Sequence, residues 1–125
     1  MVSRLDEHTI LLVEDEPFIL MEVQRVLDAA GARVLPAYTV AEALDALPTG
    51  SVTAAILDFK LHGGTADDLC HELVNRNIPF VIYSGYPRVE GECTRWAIVS
   101  KPADPVLLVS SVLEVLTAQG CVKSQ

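Results

Sequence analysis

The chain has 125 residues, half of them hydrophobic, and 17 acidic against 9 basic side chains give a formal charge of −8. That is enough for one domain with a sizeable core, and the acidic balance excludes nonspecific nucleic-acid binding, which needs Lys and Arg to displace counterions. No apolar run reaches the roughly 18 residues of a membrane span and no secretory pattern is visible, so a cytoplasmic protein with no membrane partner is expected.

Cys70, Cys93 and Cys121 are odd in number and form no CxxC, so free thiols are expected. Cys70 beside His71 is a weak metal pair, because adjacent residues on a helix point in different directions. Disorder is expected only before His8 and after Gly120, which leaves a core of about residues 9–118 in a single domain.

Thr9 to Val13 is an apolar, β-branched run and predicts a buried strand. It ends at Glu14-Asp15-Glu16-Pro17, where Pro17 suits the first turn of a helix and the acids suit its N-terminus. Phe18, Leu20, Val23, Val26, Leu27 and Ala30 repeat at helical spacing, and Gly31 stops the helix. Arg33 to Pro36 predicts a short second strand. Thr39-Val40-Ala41-Glu42 has the form of a capping box and opens a helix that Pro48-Thr49-Gly50 ends.

The third strand is Ala54-Ala55-Ile56-Leu57-Asp58, an apolar run closed by one acid. Past a loop with Gly63-Gly64, a helix is expected from Thr65 to about Arg76. Pro79 to Tyr83 predicts a fourth strand, followed at once by Ser84-Gly85. Between Pro87 and Arg95 helix character is poor, so a fourth helix is expected to be short or irregular. Trp96 to Val99 predicts a fifth strand ending at Ser100-Lys101-Pro102. Asp104-Pro105 then caps a last helix with Val106, Leu107, Leu108, Val109, Val112, Leu113, Val115 and Leu116.

Alternation of strand and helix implies an α/β fold, with a parallel sheet, right-handed crossovers and helices on both faces. Four chemical groups then fall just past strand ends: Glu14-Asp15, Asp58, Ser84 and Lys101. In a doubly wound sheet such ends converge on one crevice. Three carboxylates held together repel, each pair at about 4 Å by roughly 4 kcal/mol at an effective dielectric of 20. A hard cation such as Mg²⁺ (or Mn²⁺) relieves this. Asp15 and Asp58 are the direct-ligand candidates, Glu14 acts through water, and the Lys60 backbone carbonyl is a further ligand. An ionised Asp58 is a competent nucleophile toward phosphorus, with Lys101 and Ser84 placed to stabilise the equatorial oxygens. The competing readings are a solvated strand-end acid for Asp58, a helix-dipole role for Glu14-Asp15, a surface Lys101 and a turn-forming Ser84.

These residues resemble the receiver domain of two-component response regulators, over about Thr9 to Ala118. The matching motifs are Glu14-Asp15, Asp58, Ser84 and Lys101-Pro102. The resemblance implies a flavodoxin-like five-stranded parallel sheet of order 2-1-3-4-5. It also implies phosphorylation of Asp58 by a histidine kinase or histidine phosphotransfer protein, Mg²⁺ dependence, a Lys101-Pro102 peptide that is often cis, and signalling through protein contacts rather than turnover. A single-domain regulator is expected, as a phosphorylation relay or a phosphate sink. Ile98 stands where the family usually has an aromatic switch. Ser84-Gly85-Tyr86 resembles an atypical subgroup without that aromatic, and Tyr86 is expected to take over part of the switching.

Three rivals remain. A pseudo-receiver would use the same fold as a phosphorylation-independent binding module. An aspartyl phosphatase would place a second acid where Lys60 stands. A flavin carrier would have its phosphate repelled by Glu14-Asp15-Glu16. Lys60 is also expected to hinder hydrolytic water and lengthen the phosphoryl lifetime. His71 is expected to be a solvated helix residue. On the last helix, Leu108, Val109, Val112, Leu113 and Leu116 form the buried stripe. Val106, Leu107 and Val115 are left over for a dimer or target contact.

Overall fold

The computed structural model describes residues 4–48, 51–61, 64–85, 89 and 91–119. Five strands form one parallel sheet: β1 (Thr9–Val13), β2 (Arg33–Ala37), β3 (Ala54–Leu57), β6 (Phe80–Ser84) and β7 (Ala97–Ser100). Their order is β2-β1-β3-β6-β7, which is the expected 2-1-3-4-5 once a small ribbon in the middle of the chain is set aside. That ribbon pairs β4 (Lys60–Leu61) antiparallel to β5 (Gly64–Thr65). The helices are α1 (Pro17–Ala29), α2 (Val40–Ala46), α3 (Asp67–Asn75) and α4 (Val106–Gln119).

The unbroken apolar runs are explained by burial on both sides. Ile10, Leu12, Ala54, Ile56, Val81 and Tyr83 pack with α1 and α4. Their alternates Leu11, Val13, Ala55, Leu57, Phe80 and Ile82 pack with α2 and α3. Neighbouring side chains on a strand point to opposite faces, so a strand between two helical layers must be apolar at every position.

Local signals set the helix ends. Pro17 opens α1, with the Glu16 carboxylate accepting from the Phe18 N–H, and Gly31 follows the helix at φ 96°. Thr39 caps α2 by accepting from the Glu42 N–H at 3.0 Å. The reciprocal bond reaches one residue further back than in the usual capping box, with the Tyr38 N–H donating to Glu42 Oε1 at 2.7 Å. Asp104 Oδ1 accepts from the Val106 N–H at 3.0 Å at the start of α4.

Several expectations need correction. The third helix begins at Asp67, not Thr65, because Gly64 and Thr65 pair in the ribbon. The fourth helix is irregular, as expected: among the described residues between β6 and β7 the chain forms a 3-10 turn, Gly91–Thr94. Cys70 and Cys93 are joined in a disulfide and are not free thiols. The linked sequence positions lie on α3 and the 3-10 turn, a proximity that sequence spacing cannot reveal. Of the segment before His8, the described residues 4–7 include an anchor: Leu5 is fully buried, and its N–H donates to the Ala30 carbonyl at 2.8 Å. On α4 the core takes Val115, and Leu113 is only half-buried. His71 is exposed as expected, but its Nδ1 lies 2.6 Å from Glu92 Oε1 and bridges α3 to the 3-10 turn.

Candidate functional site

The register of the sheet brings the site together. Val13 and Leu57 are partners across β1 and β3, so Glu14 and Asp58 leave the sheet side by side. Their backbones are fixed there by the bonds Glu14 N–H to the Ala37 carbonyl and Asp58 N–H to the Val13 carbonyl, both 3.0 Å. Ser84 and Ser100 are partners across β6 and β7, and the Lys101 N–H donates to the Ser84 carbonyl at 3.0 Å. Lys101 therefore enters the same rim from the far side.

Lys101 Nζ lies 3.0 Å from Glu14 Oε1 and 3.0 Å from Asp58 Oδ2. Asp58 Oδ1 accepts from the Lys60 N–H at 3.2 Å, and Glu14 Oε2 accepts from the Glu16 N–H at 3.2 Å. Carboxylate oxygens of Glu14, Asp15 and Asp58 all lie within 4.8 Å of one another. Glu14 and Ser84 are each 3% exposed and Asp58 8%.

Burial pushes the Glu14 carboxyl above the ordinary carboxylate value, against the opposing bond and charge of Lys101. Burial alone would lower the Lys101 ammonium. Its bonds to Glu14 and Asp58 outweigh that and hold it above the ordinary lysine value. One ammonium thus bonds two acids while Asp15 stands in the same cluster. Three carboxylates offering only oxygen donors within one small cluster suit a hard divalent cation, so the site fits a metal such as Mg²⁺.

Glu14, Asp15, Asp58, Ser84 and Lys101 all stand at the edge of the sheet where the sequence puts them. Lys60 follows Asp58 into the ribbon. The peptide Lys101-Pro102 is cis. Ile98 is 47% exposed on β7. Tyr86 lies outside the described residues. Sequence reasoning missed Tyr83, whose ring centroid is 5.4 Å from Lys101 Nζ. The available signal was a residue with a polar tip in an otherwise apolar strand.

A five-stranded parallel sheet of this order, with three acids and a lysine at its C-terminal rim, defines a class, and the chain belongs to the receiver domains of response regulators, the CheY-like fold. It is 32% identical to SdrG from Sphingomonas melonis Fr1 over 90% of this chain and 95% of that one, with a TM-score of 0.71. The fold also matches the response regulator PhyR from Brucella abortus at 22% identity and a TM-score of 0.79. That match covers 95% of this chain, which spans about half (51%) of the length of PhyR. The response regulator TrrA from Thermotoga maritima, solved in complex with Mg²⁺-BeF, matches at 23% identity and a TM-score of 0.78, over 87% of this chain and 99% of that one. No family sequence model and no curated protein sequence matches the chain. Among the described residues no helix is long and apolar enough to cross a membrane.

Proposed function

We propose that this receiver is a phosphoacceptor in a two-component or phosphorelay system, modified on Asp58 by a histidine kinase or a histidine phosphotransfer protein. The observation that carries the reading is the single ammonium of Lys101 bonded at 3.0 Å to both Glu14 and Asp58, with Asp15 in the same cluster.

In the proposed step an Asp58 oxygen attacks phosphorus. The bond from phosphorus to the donor nitrogen breaks, and its electron pair leaves with the imidazole, which takes a proton from solvent. Asp58 needs no general base, because it reacts as the carboxylate. Lys101 turns its positive charge from the two acids to the incoming phosphoryl oxygens, and the Ser84 hydroxyl donates to one of them. Asp15, Asp58, Glu14 and the Lys60 carbonyl would hold Mg²⁺ or Mn²⁺. When bound, that ion neutralises the charge that would otherwise repel a phosphoryl donor. The chain turns over no external substrate on this reading. Its output is a protein contact, for which Val106 and Leu107, each more than half exposed at the start of α4, supply apolar surface.

Incubation with Mg²⁺ and a small phosphodonor should add one phosphoryl mass to the wild type and none to Asp58→Asn. A wild-type chain that gains no mass would leave the fold as a phosphorylation-independent binding module. Two finer expectations accompany this. Lys60→Ala should lose its phosphoryl group faster than wild type, and Tyr86→Ala should weaken phosphorylation-dependent partner binding, as expected of the atypical subgroup.

A further inference from the structure

Tyr83 is one residue before Ser84 on β6, and its side chain lies on the side of the sheet covered by α1 and α4. It is 6% exposed. A tyrosine that only filled this space would serve no better than phenylalanine, since a buried hydroxyl must find a partner. The Tyr83 hydroxyl finds one in the segment that follows β7: it donates to the Ala103 carbonyl at 3.1 Å. The ring meanwhile lies with its centroid 5.4 Å from Lys101 Nζ, within the range at which an aromatic face attracts an ammonium.

These contacts bracket one short segment. Lys101-Pro102-Ala103 leaves β7 and carries the ammonium into the acidic rim. β6 holds it at three places: the Ser84 carbonyl accepts the Lys101 N–H at 3.0 Å, the Tyr83 ring faces Nζ, and the Tyr83 hydroxyl grips Ala103. A lysine side chain has four rotatable bonds and loses much rotamer freedom when held in one geometry. A site that needs the ammonium between Glu14 and Asp58 therefore gains from a neighbour that narrows the choice beforehand.

We propose that Tyr83 is a positioning residue for Lys101. Its ring keeps the ammonium over the acidic pair, and its hydroxyl holds the segment from which the lysine projects. Tyr83 acts through Lys101 and takes no part in bond making. The catalytic consequence rests on the phosphoacceptor reading, whereas the geometry does not.

The test uses two variants of the full chain, Tyr83→Leu and Tyr83→Phe, and two readouts. In the unphosphorylated protein, proton NMR of the Lys101 side chain should show methylene resonances moved upfield by the Tyr83 ring. The shift should persist in Tyr83→Phe and vanish in Tyr83→Leu. With phosphoramidate and Mg²⁺, the rate constant at saturating donor should fall about tenfold in Tyr83→Leu and about threefold in Tyr83→Phe. The half-saturating donor concentration should stay within about twofold of wild type in both, a split that a general loosening of the fold would not produce. Unmoved Lys101 resonances in Tyr83→Leu, or a wild-type rate constant in Tyr83→Phe, overturns the proposal. Should Tyr83→Leu fail to fold, Tyr83→Phe decides alone. Should the wild type take up no phosphate, the phosphoacceptor reading falls, and the Lys101 resonances still decide the positioning role.

Discussion

Ile56 on β3 and Ile98 on β7 belong to the same sheet, yet the first is 1% exposed and the second 47%. Around Ile56 both faces of the sheet are covered, by α1 and α4 on one side and by α2 and α3 on the other. Around Ile98 the neighbours Ala97 and Val99 pack on the side of α1 and α4, while Ile98 itself, pointing to the other face, stays nearly half exposed. The first region is held by continuous apolar packing. The second is held by discrete ties: the Cys70–Cys93 disulfide, the His71–Glu92 pair, and the bond from Tyr83 to Ala103. Asp58 and the acidic pair leave the packed region, while Lys101 leaves the tied one. The site is thus a meeting of a rigid anchor and a tethered arm.

Breaking the packed region should have the largest effect. Ile56→Ala should cost about 4 kcal/mol in urea unfolding, for the lost methylenes and the cavity they leave. Ile98→Ala should cost at most about 1 kcal/mol. Equal costs would show that the two edges are built alike. Next comes the disulfide, which closes a sequence separation of 23 residues. In the chain-entropy account, reduction or Cys93→Ala should cost about 3 kcal/mol. The loss would appear as a lower unfolding midpoint with a dithiol present.

The ion cluster at the junction gives a smaller, pH-dependent effect. Lys101 has its pKa raised in the fold above the ordinary 10.5, so the native state holds that proton more tightly than the unfolded chain. The contribution is complete below 10.5 and is lost as pH rises through the folded value. The stability gap between wild type and Lys101→Met should therefore narrow above that pH, which chemical denaturation at stepped alkaline pH would measure. The smallest effect is expected from the solvent-exposed tie: His71→Gln should change stability by no more than about 0.5 kcal/mol.

The same contrast explains what could be read before the structure. β1, β3 and β6, with the acids that follow the first two, were legible because burial on both faces forces unbroken apolar runs, and a charge that ends such a run stands out. The caps at Thr39 and Asp104 were legible because hydroxyl and carboxylate side chains bond the first N–H groups of a helix. The Lys60–Leu61 ribbon was not, since two residues per strand have no period to detect. Nor was the disulfide, which depends on where the 3-10 turn lies against α3. Tyr83 was visible as a strand residue, but its bearing on Lys101 depends on the path of the chain after β7. The burial of Val115 was not legible, because a single helical stripe ignores that α4 packs on α1 as well as on the sheet.

Leu5 carries a practical consequence for anyone handling this protein. Its side chain is fully enclosed among the residues beneath α1 and α4, and its amide is pinned to Ala30. An affinity handle joined ahead of Arg4 should be carried without harm. Trimming two residues further in would take away the stopper that seals that end of the interior.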